Sequence, residues 1–494
     1  MPSGAKAGIH HDGFLLTTMK KSLLLLLLAA FTAPGFAQQL TGYQFTVRVK
    51  GLENSEVMLG HHYGNKQYVI DTVQVDDKGE VVFAGNDTLV GGIYLVVIPK
   101  MKNKYFEMVV SGQESKFTME TDTFDLVGHM RITGSKENEL FYKDMRFIAA
   151  KKDELNTLKT KLTAVGDTTA DGLLIKEEMK KLNAEVESTR ASYIQDNPNL
   201  FYAKFLQAVT DIKIPEAPVL ADGTIDSTFR LKYVRAHFFD NIDFTDERFL
   251  RTNLYDARIK KYLNDYIYKV PDSINPAVDF ILEKAAVNKK TFQFITVMLL
   301  NDYATSKIMG YDAVYVYIVD KYYSTGKAFW LDDVGLYRIQ AQAESVRPTL
   351  LGKTGQPLML QDRNDNDIPL YSVQSKFTVI IFWSPDCGHC KKEMPKVEKL
   401  YPEIKALGGE IYAVYAETEF DKWEKWLDEH PVPWINVTDK KGKEMIEVKY
   451  HVDITPLIYV LDEHKKIIGK KLSIEQVPEL LQNELAIEAA TKGK

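Results

Sequence analysis

The chain changes its hydrophobic period twice. After an N-terminal apolar run, Phe45, Val47 and Val49 alternate with polar residues, as do Val57 and Leu59, the period of half-buried strands. Asp76-Asp77-Lys78-Gly79 reads as a turn between Thr72–Val75 and Val81–Phe83. Gly91-Gly92 opens a strand from Ile93 to Ile98, and Tyr105–Val110 and Lys116–Glu120 follow. Short strands at this spacing predict a small antiparallel β-sandwich over residues 40–133. His61-His62 lacks a third nearby metal ligand and reads as strand or surface.

A helical period takes over near residue 136. Leu155, Leu158 and Leu162 repeat at i, i+3, i+7, as do Met179, Leu182 and Val186, with a Gly- and Asp-rich loop from Gly166 to Gly172 between them. This predicts an antiparallel helical hairpin. A Pro- and Asp-bearing connection, Ile212–Ser227, leads to further helices at Ala277–Asn288, Thr291–Ile308 and Asp312–Tyr323. The all-helical middle domain is placed at 136–335, and its many tyrosines, at helical spacing, read as core. Neither this domain nor the β domain shows a catalytic constellation.

The last third alternates strands with helices. Phe377–Trp383 is a continuous apolar run, Ile411–Ala416 a second buried strand and Asp421–Glu429 a helix. Trp434–Val437 is a short strand, Leu457–Leu461 and Ile467–Lys471 a terminal hairpin, and Val477–Ala489 a closing helix. Directly after the first strand comes Cys387-Gly388-His389-Cys390, which holds both cysteines of the 494-residue chain. Two thiols this close, at the start of a helix, can form a disulfide with little backbone movement. Unpaired N–H groups and the helix dipole favour a thiolate at the first. A structural disulfide closing so short a loop gains little chain entropy, and a zinc site needs four ligands where only one Cys pair exists. The expected cycle is attack by Cys387, a mixed disulfide, and resolution by Cys390.

Composition narrows the setting. A net charge of −6, 45% hydrophobic and 26% charged residues are those of an ordinary soluble globular protein, with no basic stripe for nucleic acid. Residues 19–37 read as a secretory signal: Met19-Lys20-Lys21 is the charged start, Leu23–Ala30 the apolar core, and Gly35-Phe36-Ala37 the cleavage site before Gln38. The apolar run is short for a membrane span. No cysteine follows it for lipidation, so no transmembrane anchor is expected after cleavage, and the periplasm or cell envelope is the expected location.

Residues from about 345 to 485 resemble the thioredoxin superfamily, nearest the TlpA/ResA-type extracytoplasmic thiol–disulfide oxidoreductases. Phe382-Trp383 precedes the Cys-Gly-His-Cys tetrad, which is the one found in protein disulfide isomerases. Thr455-Pro456 matches the cis-proline loop that holds substrate beside the nucleophile, and Gly352–Leu360 resembles the entry segment, with Gln356 in place of an alanine. Glu393, three residues after Cys390, matches the buried glutamate of the ResA type, while Ile381 stands where thioredoxin has a buried aspartate. The resemblance implies Cys387, Cys390 and Glu393 as catalytic, His389 and Trp383 as tuning, and Thr455 and Pro456 as substrate-binding residues. It implies no cofactor or metal beyond the redox-active Cys387–Cys390 disulfide. The preceding segments resemble domains of unknown function fused to thioredoxin domains in Bacteroidetes.

The fold expected is therefore an α/β thioredoxin fold at the C-terminus, preceded by an antiparallel β-sandwich and an all-helical domain. The function expected is disulfide exchange with thiol- or disulfide-bearing envelope proteins and a redox partner protein, its direction open and homodimerisation open. A peroxidase is disfavoured because its Pro-x-x-x-Thr/Ser-x-x-Cys loop is incomplete here. Copper delivery is disfavoured because related carriers use a C-x-x-x-C spacing. The alternative of another class is a peptide- or glycan-binding module with an accessory thioredoxin domain.

Overall fold

The computed structural model describes residues 42–492; the signal segment expected at 19–37 lies outside them. The β domain comprises β1 (Tyr43–Lys50), β2 (Glu56–Tyr63), β3 (Lys66–Gln74), β4 (Glu80–Gly85), β5 (Gly92–Ile98), β6 (Lys104–Val110), β7 (Lys116–Asp122) and β8 (Arg131–Thr133). They form two four-stranded sheets, ordered β4-β1-β7-β8 and β3-β2-β5-β6. The alternating side chains Phe45, Val47, Phe83, Phe117 and Met119 of one sheet and Val57, Leu59, Val96, Phe106 and Met108 of the other enter one core. One pairing departs from the antiparallel expectation: β1 runs parallel to β7, with Phe45 opposite Phe117 and their rings stacked at 4.3 Å. Alternation predicts which face of a strand is buried, but not the direction of its neighbour.

The middle region holds α1 (Lys136–Val165), α2 (Ala170–Asp196), α3 (Phe201–Val209), α4 (Phe229–His237), α5 (Leu254–Asp265), α6 (Pro271–Ala285), α7 (Lys289–Ala304), α8 (Asp312–Ile318) and α9 (Asp333–Val346). Ser135 caps α1 by accepting the Asn138 N–H. Asn138 in turn exchanges two 2.8 Å hydrogen bonds with the Val109 backbone, tying α1 to β6. One continuous apolar cluster runs from Phe45 through the helices to Val346, so the β and helical regions share a core. The helices extend past the expected limit at 335, because α9 is capped by Asp332 and packs Ala343 and Val346 into that cluster.

The C-terminal region comprises β9 (Met359–Gln361), β10 (Asp367–Pro369), β11 (Phe377–Trp383), α10 (Cys390–Ala406), β12 (Gly409–Tyr415), α11 (Phe420–Glu429), β13 (Ile435–Thr438), α12 (Ile446–Lys449), β14 (Leu457–Leu461), β15 (Ile467–Lys470) and α13 (Gln476–Lys492). Its seven-stranded sheet is ordered β10-β9-β13-β12-β11-β14-β15, with β11, β12 and β13 parallel and β14 antiparallel to β11. Every residue of β11 is buried, as expected for a central strand covered on both faces. Val379, Ile381 and Trp383 face the cluster with Met394, Val397 and Trp423; Ile380 and Phe382 face the one with Tyr412, Tyr450 and Tyr459. Such a strand can only end at the surface, and it ends beside the two cysteines. Among the described residues no helix is long and apolar enough to cross a membrane.

Candidate functional site

The site forms where β11 gives way to α10. The Cys387 N–H donates to the Ser384 carbonyl at 3.2 Å, and the Cys387 carbonyl accepts the Lys391 N–H at 3.0 Å, so the first helical hydrogen bond already starts at Cys387. Its Sγ occupies the position of an N-cap side chain and accepts the Cys390 N–H at 3.4 Å. The thiol also donates to the Thr455 carbonyl at 3.1 Å. Both cysteines are free thiols; Cys387 is half-buried and Cys390 fully buried.

These surroundings push the two thiols apart. Partial burial pushes Cys387 up, but the Thr455 side chain, the Cys390 N–H and thiol and the His389 N–H outweigh that and hold it below the usual thiol range. Burial pushes Cys390 up to about 12, the adjacent Cys387 adding to the rise while Ser384 and Thr455 oppose it. The pair is therefore an accessible thiol that ionises readily and a shielded one that does not.

The remaining predicted residues fall around this pair. His389 is exposed, and a side chain at Gly388 would meet no atom within 4 Å, so the outer face of the tetrad is open. Trp383 is fully buried, packed edge-on against Trp426 with ring centroids 4.5 Å apart. The Thr455–Pro456 bond is cis, and the Thr455 carbonyl touches the Cys387 sulfur. Glu393 lies one turn beyond Cys390. Its carboxylate accepts the Ile474 N–H at 3.0 Å and pairs with Lys396 at 3.1 Å, so its hydrogen bonds run to the segment before α13 and along α10. Ile381 is fully buried behind the site.

Three features escaped the sequence pattern. Asp386, beside Cys387, is ion-paired with Lys422 of α11 at 2.7 Å, which holds its carboxyl below the usual range and offsets a negative charge next to the nucleophile. Tyr459 donates its hydroxyl to the Tyr450 carbonyl at 2.6 Å, and Tyr450 donates its own to the Gln356 carbonyl at 2.6 Å. These bonds brace the segment between Tyr450 and Leu457 that carries Thr455. No motif spans the 36 residues from Asp386 to Lys422, and buried tyrosines in apolar runs read as plain core. Among the described residues no group of three or more His, Cys, Asp or Glu could hold a metal ion.

Comparison with known proteins fits this geometry. Residues 351–470 match the AhpC/TSA family, and residues 43–141 and 175–348 match two domains of unknown function, DUF4369 and DUF5106. The chain is similar to the thiol–disulfide oxidoreductase ResA of Halalkalibacterium halodurans, 31% identical over 117 residues, which are 24% of this chain and 65% of that protein, just under two thirds of its length. It is also similar to ResA of Bacillus cereus, 28% identical over 135 residues, which are 27% of this chain and 76% of that protein. A thioredoxin-like protein from Bacteroides caccae covers 55% of this chain and 99% of its own, at 20% identity and a TM-score of 0.45. The C-terminal region is thus a thioredoxin-like domain similar to proteins named thiol–disulfide oxidoreductases. It matches the AhpC/TSA family model, is similar to ResA proteins, and follows two stretches that match domains of unknown function.

Proposed function

We propose that the protein is an extracytoplasmic thiol–disulfide oxidoreductase that exchanges disulfides with envelope proteins. The observation that carries this reading is the contrast at the tetrad: a half-buried Cys387 whose thiol is held low, against a buried Cys390 pushed up to about 12. Cys387 thiolate attacks one sulfur of a substrate disulfide, forming a mixed disulfide and releasing the other sulfur as a thiolate, which takes up a proton. Cys390 then gives up its proton and attacks Cys387, closing the Cys387–Cys390 disulfide and releasing the reduced substrate. With the disulfide form and a dithiol substrate, the same steps run backwards. The Thr455 carbonyl, beside Cys387, is placed to pair with substrate backbone, and the open face at Gly388 admits it. Glu393, on the helix face of Cys390, assists the proton transfer.

The envelope location is supported by the signal pattern at 19–37 and by the use of both cysteines in one motif, which leaves no stray thiol to mispair in an oxidising compartment. Insulin reduction followed by turbidity tests the activity, and no acceleration over dithiol reductant alone refutes it. Trapping partners on a Cys390→Ala variant identifies the substrates; mass spectrometry of the secreted N-terminus, expected at Gln38, tests the location.

A further inference from the structure

The redox domain meets the helical region along β15, the outer strand of its sheet. The connecting segment lies on the free edge of that strand. Gly352 N–H donates to the Ile467 carbonyl, Ile467 N–H to the Lys353 carbonyl and Gly355 N–H to the Lys465 carbonyl, each at 2.8 Å. At the end of β15 stands Lys470, only 2% exposed. Its ammonium donates to the Thr349 carbonyl at 2.6 Å and is ion-paired with Asp312, in the first turn of α8. The Lys470 N–H approaches the Met309 sulfur at 3.5 Å. A buried ammonium is tolerated only where its charge is paired and its protons are accepted. Both partners here come from the helical side of the junction, so a separated redox domain would leave Lys470 without them.

The same junction leads to the thiols. Lys470 lies opposite Tyr459 across the β14–β15 pair. The buried Tyr459 hydroxyl holds the Tyr450 carbonyl, and the buried Tyr450 hydroxyl holds the Gln356 carbonyl in the connecting segment. Tyr450 and Leu457 are the two ends of the stretch that presents the Thr455 carbonyl to Cys387 Sγ.

We propose, on the thiol–disulfide reading above, that Asp312, Lys470, Tyr459 and Tyr450 are positioning residues of the redox site. The docked helical domain fixes β15, β15 fixes the two tyrosines, and the tyrosines fix the carbonyl that meets the nucleophilic thiol. The helical domain is in this sense part of the redox site's scaffold. The charged groups at the junction are Asp312, Lys470 and Lys471, with Lys353 and Lys465 on the connecting edge; those on the Cys387 turn are Asp386, paired with Lys422, with His389 and Lys391.

The test is the pH dependence of Cys387 alkylation by iodoacetamide in the reduced full-length chain, read by mass spectrometry. Tyr459→Phe removes one hydroxyl and keeps the ring. Asp312→Asn with Lys470→Met removes both charges of the pair at similar volume, which keeps the test open if either single change unfolds the chain. We expect both to move the alkylation midpoint downward by about 0.5–1 pH unit, the size of one lost hydrogen bond, because only the protonated thiol can donate to the Thr455 carbonyl, with circular dichroism unchanged. A purely structural role would lower the urea midpoint and leave the alkylation midpoint alone. Folded variants with the wild-type alkylation midpoint overturn the proposal. If wild-type protein fails to reduce insulin but the midpoint still shifts, the proposed activity fails and the positioning stands.

Discussion

Cys387 and Lys470 lie in the same sheet domain, and each solves the problem of holding charge away from water, by opposite means. Cys387 sits at the open end of β11, half-buried, and favours its anion with a backbone N–H and the start of α10, all within a few residues of chain. Lys470 sits at a covered edge and is paired with a carboxylate far earlier in the chain. Its burial pushes the ammonium down, and Asp312 opposes that shift. The first arrangement leaves one face free, as a reactive group needs. The second closes every face, as a junction needs.

The hardest break of this comparison is at the open end. Cys387→Ser should abolish insulin reduction, because no other thiol in the described structure is accessible; Cys390→Ala should keep the first attack and accumulate mixed disulfide. Residual turnover in Cys387→Ser would sink the assignment of the nucleophile. At the closed edge, Lys470→Met leaves the Asp312 carboxylate, 18% exposed, without its partner, and the urea midpoint should reflect a loss of roughly 3 kcal/mol or less. Adding Asp312→Asn should recover most of that, since it removes the unpaired charge at the same volume. A single variant as stable as wild type would mean that water reaches Asp312 freely.

The thiol pair sharpens the comparison by titration. With Cys390 pushed up to about 12 and Cys387 held below its usual 9.0, the thiolate fractions at pH 8 differ by at least about 10³. The lower nucleophilicity of the more acidic thiol offsets part of that, so alkylation should favour Cys387 by about 50-fold or more. Equal labelling would remove the basis for their roles. The sign for stability follows from Cys390. A thiol raised by folding contributes its full share below pH 9.0 and loses it as pH climbs toward about 12. Reduced wild-type protein should therefore lose stability above pH 9 relative to Cys390→Ala.

How much of each place the sequence reveals follows from the range of its interactions. The Cys387 site is local apart from Thr455, and Thr455-Pro456 advertises itself by its proline; strand, tetrad and loop can all be read from the residues. Lys470 cannot, because in Ile-Ile-Gly-Lys-Lys at the end of a hairpin it reads as a solvated lysine, and nothing nearby names Asp312. The β1–β7 parallel pair is hidden for the same reason, since strand period carries no information on a partner distant in the chain. Helix α9 was within reach: Leu336, Ile339, Ala343 and Val346 repeat on one face after Asp332, and all four pack into the shared core.

Glu393 lies between the two cases, and the smallest effect is expected there. Its carboxylate is 14% exposed, accepts the Ile474 N–H and pairs with the exposed Lys396, while its place in α10 puts it one turn from Cys390. Glu393→Gln keeps an acceptor for Ile474 and gives up the charge. Lost pairing with Lys396, which is 46% exposed, should cost well under about 1 kcal/mol. The kinetic effect separates from that. Cys390 must lose a proton before it attacks the mixed disulfide, and its thiol is hard to ionise. A carboxylate one turn away that takes the proton should make resolution about tenfold slower when replaced, at the low end of general base effects because solvent can substitute in part. The first attack by Cys387 should keep its rate, since that thiol draws on backbone N–H groups that the substitution leaves in place. Stopped-flow measurement of mixed-disulfide decay from pH 6 to 8 decides the matter. Decay at the wild-type rate would leave Glu393 as a strut between α10 and the segment before α13, and would return the proton to water.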